Sequence, residues 1–155
     1  YGRDLAVISG VTDDRSTVDR LKGAKRAFSQ AGIPFETIRV ISGGYSREGG
    51  EVAMQKLLDG GRRPRAVFCL NDEMAVGAID AIRQAGLQVP GDIAVMGFDD
   101  SLWAETTQPP LTTMRVDSLQ MGRMAVKLLQ ARIGEPQASP SSTVLQPMLV
   151  RRGSA

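Results

Sequence analysis

The stretch Ala66-Val67-Phe68-Cys69-Leu70-Asn71-Asp72-Glu73-Met74-Ala75-Val76-Gly77-Ala78 decides the fold. It opens as an apolar run, Ala66 to Leu70, of strand length and without charge. Two polar residues, Asn71 and Asp72, stop the run. A helical pattern follows at once, with Met74, Ala75, Ala78, Ile79 and Ile82 on one face. A buried strand that feeds a helix through a polar tip is half of a βαβ unit. Open α/β sheets bind ligands outside the carboxyl ends of their strands, where such tips collect. Asn71 and Asp72 therefore read as helix caps, as groups facing a ligand, or as both, since a cap can still touch ligand.

The same unit recurs on either side. Upstream, Leu5-Ala6-Val7-Ile8 reads as a strand closed by Ser9-Gly10, and a polar loop, Thr12 to Arg15, follows. Ser16 or Thr17 caps a helix with Val18, Leu21 and Phe28 on its apolar stripe, ended by Gly32 and Pro34. A second strand is expected over 37–41. Gly43-Gly44-Tyr45 then turns into a helix capped by Ser46, with Val52, Ala53, Met54, Leu57 and Leu58 inward and Gly60-Gly61 at its end. Downstream of the opening stretch, the helix runs from about 72 to 84 with Gly86 as C-cap. Pro90-Gly91 turns into a fourth strand, 93–98, which ends in Asp99-Asp100. A short segment through Trp103, read as a buried or interface anchor, leads to Pro109-Pro110 and a β-type stretch over 111–116. Asp117 and Gln120 have capping-box spacing before a helix reaching about Ile133, with Met121, Ala125, Leu128 and Leu129 on a face. Residues 134–142 form a loop. A last strand over 143–145 continues past Pro147 as 148–150, the proline marking an edge or a bulge. Strand–helix units in series give an α/β fold: a parallel sheet with helices on both faces, a Rossmann-like lobe.

Composition narrows the chemistry. The 155 residues are 42% hydrophobic and 23% charged, in the globular range. The net charge of +2 is too small to be a nucleic-acid footprint. No histidine occurs, which removes Ser-His-Asp triads and His-containing zinc sites. The one cysteine, Cys69, lies inside an apolar strand and reads as a buried structural thiol. With no second cysteine for an intrachain disulfide, it fits a reducing compartment such as the cytoplasm. No apolar run approaches the roughly 18 residues a membrane span needs. The chain opens almost directly on a strand, which reads as a fragment of something longer.

On the expected sheet, polar groups that end strands share one rim: Ser9, the loop from Asp13 to Ser16, Tyr45, Asn71-Asp72 and Asp99-Asp100. Arg20, one turn into the first helix, can reach it. Carboxylates, an amide, a hydroxyl, a guanidinium and an aromatic ring suit a polyhydroxylated ligand. Each also has a plainer reading: Asp99 as a cap, Arg20 as a solvated helix residue, Tyr45 as packing. No nucleophile–base–orienter set appears, so no catalytic residue, metal ligand or cofactor is assigned and the chain does not read as an enzyme. Ser42-Gly43-Gly44 lacks dinucleotide-binding spacing, and no Walker sequence occurs. The methionines at 54, 74, 121 and 124 read as core or interface.

Three longer runs carry a resemblance. These are Asn71 to Ala78, Ala85-Gly86-Leu87-Gln88-Val89-Pro90-Gly91-Asp92-Ile93 through Asp99-Asp100, and Pro109-Pro110-Leu111-Thr112-Thr113. With Arg20-Leu21-Lys22-Gly23 upstream and Leu149-Val150-Arg151-Arg152-Gly153-Ser154 at the end, they resemble the lac-repressor (LacI/GalR) family of bacterial transcription regulators. The resemblance covers nearly the whole chain. It implies a periplasmic-binding-protein-like effector domain of two lobes, of which 1–112 and 143–155 are the second. The helix over 117–133 is then the segment that crosses back to a first lobe absent here, as is the DNA-binding head. The resemblance implies a small-molecule effector, sugar or nucleobase-like, a homodimer, and operator DNA reached only through the missing amino-terminal domain. It makes Arg20 and Asp99 the leading effector contacts and Asn71 another, with Ser16 and Tyr45 weaker matches. Val116 departs from the pattern, since some members carry a polar contact there. A periplasmic sugar-binding protein of an uptake system is the competing expectation. Without its first lobe, the apolar face of the 117–133 helix is expected to be covered by a second copy or by a rearrangement.

Overall fold

The computed structural model describes residues 4–155, so residues 1–3 of the expected lobe lie outside the described residues. Six strands form one sheet in the order β2-β1-β3-β4-β5-β6. They are β1 (Leu5–Ser9), β2 (Arg39–Ser42), β3 (Ala66–Cys69), β4 (Ala94–Asp99), β5 (Thr112–Arg115) and β6 (Met148–Val150). The helices are α1 (Arg15–Gln30), α2 (Arg47–Asp59), α3 (Asp72–Gln84), α4 (Leu102–Thr106) and α5 (Ser118–Gly134), with a 3-10 turn at Phe35–Thr37. The first five strands pair in parallel, as expected from strands that alternate with helices. β6 pairs antiparallel to β5, so the sheet is mostly, not wholly, parallel.

The two faces of the sheet are covered unequally. Ile8, Val67, Cys69 and Val95 are buried on the face under α2 and α3, with Met54, Leu57, Met74, Ile79 and Ile82 above them. The opposite face carries Phe68, Met96 and Phe98, which are only partly buried. There α1 lies over the sheet: the Arg20 guanidinium sits 4.0 Å from the centre of the Phe98 ring, and Phe28 shares an apolar depression with Phe68 and Met96.

Glycine sets the approach of α2 to α3. A Cβ on Gly77 would overlap the Arg47 carbonyl oxygen, and a Cβ on Gly50 would overlap the backbone of Met74. Only residues without a side chain allow two helices to cross at backbone contact. Arg47 then reaches Asp80 across the crossing, with Nη2 2.7 Å from the carboxylate.

The carboxyl-terminal segment is stitched into the middle of the sheet. The fully buried Ser154 hydroxyl donates to Val95 O at 2.6 Å and accepts from Thr112 N–H at 2.8 Å. Its carbonyl accepts from Val95 N–H at 2.8 Å.

Several local expectations need correction. Asp14, not Ser16 or Thr17, caps α1, accepting from Thr17 N–H at 2.9 Å, because the carboxylate has the reach to N3 while Thr17 is already helical. The second strand begins at Arg39, since Pro34 starts the 3-10 turn that occupies 35–37. No strand forms over 143–145; only 148–150 pairs, on the edge that Pro147 allows. Trp103 is half-exposed, not buried. No residue of α5 is buried, and Leu119, Met121, Val126, Leu129 and Ile133 are exposed. A rearrangement within the chain therefore does not cover this helix. The 135–141 segment folds back only against its last turns, where Arg132 donates to the Ala138 carbonyl.

Candidate functional site

The strand ends meet at one rim because the parallel register aligns them. Ser9 lies opposite Ser42 and Ile8 opposite Cys69, while β4 runs on to Asp99 opposite Arg115. From β1 the chain passes to β2 on one side, and β3 lies on the other, so the order reverses beside β1. Ligands of open α/β sheets bind at such a reversal.

Arg20 spans it. From α1 the guanidinium donates through Nη1 to the Leu70 carbonyl at the end of β3 and through Nη2 to Asp99 Oδ1, 3.0 Å away, at the end of β4. One side chain thus ties together the tips of three neighbouring units. Its third contact is the face of Phe98, which holds the planar group flat. The pair stands at an open surface, with the Arg20 side chain 22% and that of Asp99 43% exposed. Burial pushes the Asp99 carboxyl above the usual carboxylate range, Arg20 pulls it down, and the negative charges of Asp72 and Glu73 push it up again.

Asp99 and Asp100 both take left-handed backbone, with φ 111° and 56°. Consecutive non-glycine residues in that region cost of order 1–3 kcal/mol each and persist only where neighbours hold them. Asp100 is held by Arg152, whose Nη1 lies 2.7 Å from Oδ1, and by Arg115 on Oδ2. Burial would raise its carboxyl, but these two arginines keep it below the ordinary range.

Asn71 is the N-cap of α3: Oδ1 accepts from Met74 N–H at 2.9 Å, and Nδ2 donates to the Tyr45 carbonyl at 3.3 Å. Both of its polar atoms are engaged, so contact with a ligand would use remaining lone pairs or displace the Tyr45 bond. Tyr45 adopts φ 64° and lays its ring over Gly10, where a Cβ would collide with it. Its hydroxyl lies 2.7 Å from Thr17 Oγ1 and donates to Asp14 Oδ2 at 3.3 Å. Tyr45 thereby locks the loop after β2 to the loop after β1. Ser16 is exposed on the first turn of α1, while its neighbour Thr17 is buried and joined to Tyr45. The structure thus brings Arg20 and Asp99 into direct contact, joins Asn71 to Tyr45, and leaves Ser16 at the edge.

Two participants, the Leu70 carbonyl and Arg152, escaped the reading of the sequence, and a third, Asp72, read there as a cap or a ligand-facing group, is instead buried behind the cap Asn71. The Leu70 carbonyl is a backbone group and carries no residue signal. Asp72 is 1% exposed, yet accepts from Thr113 Oγ1 at 2.6 Å and Ser101 N–H at 2.7 Å. Arg152, from the closing segment, reaches Asp100 from 52 residues away. Among the described residues, no group of three or more His, Cys, Asp or Glu is placed to hold a metal ion.

A sequence model of the periplasmic binding protein-like domain matches residues 2–155. The chain belongs to this family. Its periplasmic-binding-protein-like sheet is similar to those of LacI-family regulators. The ribose operon repressor of Haemophilus influenzae is 38% identical over 152 residues, 98% of this chain and 46% of the relative. A solved complex of the transcriptional regulator CelR with cellobiose superposes with TM-score 0.92 at 36% identity, over 99% of this chain and 47% of that one. The lac repressor dimer bound to operator and the anti-inducer ONPF superposes with TM-score 0.89 at 30% identity, over 98% and 52%. The chain spans about half the length of the relatives it matches. They are named as transcriptional repressors, not as enzymes or uptake receptors. Among the described residues, no helix is long and apolar enough to cross a membrane.

Proposed function

We propose that this chain is the second lobe of the effector-binding domain of a cytoplasmic LacI-family transcription regulator. The observation that carries the reading is Arg20, which reaches from α1, behind β1, across the reversal of strand order to the end of β3 and on to Asp99 at the end of β4. The Arg20–Asp99 pair offers adjacent donors and acceptors with no net charge, which suits vicinal hydroxyls of a neutral sugar. Asn71 supplies a further amide at the same rim. The relative named for the ribose operon and the regulator solved with cellobiose support a sugar over a nucleobase.

In this reading α5 crosses to the first lobe, which covers the apolar face it shows here. An effector bound between the lobes favours the closed arrangement. Closure alters the geometry of a homodimer, and with it operator affinity carried by a DNA-binding segment outside this chain. That is a differential binding effect on two states.

The test is a thermal-shift screen of sugars and nucleobases on the longer protein that contains this lobe, followed by calorimetry of Asp99→Ala with the strongest hit. Hydrogen bonds to a charged group are worth about 1.5–3 kcal/mol. The variant is therefore expected to bind roughly 10- to 150-fold more weakly while remaining folded. Unchanged affinity would remove Asp99 from the site.

A further inference from the structure

Asp72 is a buried acid with no salt-bridge partner among the described residues. Its carboxylate is held by one hydroxyl, Thr113 Oγ1 at 2.6 Å, and one amide, Ser101 N–H at 2.7 Å. It occupies the first turn of α3, where the helix N-terminus favours negative charge. β4 is shaped to receive it: a Cβ on Gly97 would overlap Asp72 Oδ1. The sheet therefore gives up a side chain at 97 so that this carboxylate can lie between α3, β4 and β5. Burying an ion this way is unfavourable for stability unless it is fully hydrogen-bonded, which points to a role other than adhesion.

The three groups it joins explain the role. Asn71, the preceding residue, is fixed through α3. Ser101 closes the turn that begins at Asp99 and Asp100, both in left-handed backbone. Thr113 belongs to β5, the strand beside β4. We infer that Asp72 is the positioning residue of the effector site, setting the Asp99–Ser101 turn against Asn71 so that Asp99 meets Arg20 and a ligand in one geometry. The inference rests on the effector-binding reading above, but its test needs no effector. Asp72 itself is too deeply buried to touch ligand.

The same placement gives Asp72 an electrostatic effect on Asp99 that a purely structural brace would lack. The charged groups around Asp99 are Arg20 from α1, Asp72 and Glu73 from α3, and Arg115 opposite it on β5. Removing the Asp72 charge while keeping its shape leaves Arg20 less opposed, so the Asp99 carboxyl should release its proton at lower pH.

The experiment is NMR on the 155-residue protein, following the Asp99 side-chain carboxyl carbon through a pH titration and hydrogen exchange at the Ser101 amide. Asp72→Asn is expected to move the Asp99 midpoint to lower pH and to speed Ser101 exchange, with amide shifts far from the rim unchanged. Thr113→Val keeps the charge and removes one donor; it is expected to speed Ser101 exchange alone. An Asp99 midpoint that stays in place in a folded Asp72→Asn protein overturns the inference. If Asp72→Asn does not fold, unchanged Ser101 exchange in Thr113→Val overturns it. Neither result bears on whether the rim binds an effector, which the thermal-shift screen decides separately.

Discussion

Replacing Gly77 by alanine tests the idea that backbone contact between α2 and α3 sets the rim. The new methyl group would overlap the carbonyl of Arg47 and approach Glu51 N. Both are backbone atoms inside α2, so no side-chain rotation relieves the overlap. Over-packing costs typically 1–3 kcal/mol, and a rigid backbone partner places this site near the upper value, about 3 kcal/mol. Alanine in a helix interior recovers about 1 kcal/mol relative to glycine. The net loss is about 2 kcal/mol, or roughly 4–8 °C in melting temperature for a domain of this size. Gly122 supplies the control. It lies inside α5, and a Cβ there meets nothing within 4 Å, so Gly122→Ala should stabilise the 155-residue chain by up to about 1 kcal/mol. Thermal and urea unfolding of the two variants, side by side, make the comparison. If Gly77→Ala raised the melting temperature as Gly122→Ala does, the close crossing would be wrong. The position of Asn71, carried on the first turn of α3, would then need another explanation.

Asp100→Asn should destabilise the protein by up to about 3 kcal/mol at neutral pH, because it takes from the nearly buried Arg152 its nearer carboxylate and leaves only the exposed Glu105, 3.5 Å away. The native Asp100 carboxyl is held below its ordinary value, so its stabilisation is complete above about pH 4 and is lost as pH falls through the lowered native value. Urea midpoints of wild type and variant should therefore converge on acidification; a gap independent of pH would refute the pairing. The Cys69 thiol is pushed far up by burial, with the Asp72 charge adding to it. A thiol reagent at neutral pH should label it only as fast as the protein unfolds, and labelling at the rate of an exposed cysteine would place the residue outside the core.

Much of this architecture can be read from residue patterns because local and global preferences agree. The run from Ala66 to Gln84 shows why: an apolar strand, a polar tip that caps, and a helix whose apolar stripe returns to the sheet. Helix ends marked by glycine, as at Gly32 and Gly86, take the left-handed backbone that the residue predicts. Arg20 and Asp99 were named from the strand-end rule and the family resemblance, and they lie 3.0 Å apart. What stayed hidden depends on distance along the chain. The direction of β6, the link from Arg152 to Asp100 and the link from Thr113 to Asp72 join residues 33 or more positions apart, where periodicity says nothing. The cap of α1 was missed for a different reason: Asp14, Ser16 and Thr17 are all competent acceptors, and only the path of the loop under Tyr45 selects among them.

The stitching of Ser154 between β4 and β5 has a consequence for how the protein is made. Strands β1 to β5 leave the ribosome in spatially useful order, each with its helix close behind. The residues that satisfy Val95 and the Thr112 amide come only after α5 and its loop have been synthesised, 59 positions beyond Val95. Until then the nascent sheet holds an open edge at β5 and unpaired groups at its middle, the kind of surface that attracts other chains. The sheet can collapse early but cannot close until residues 148–154 arrive. Removing residues 148–154 should therefore show first as aggregation during synthesis.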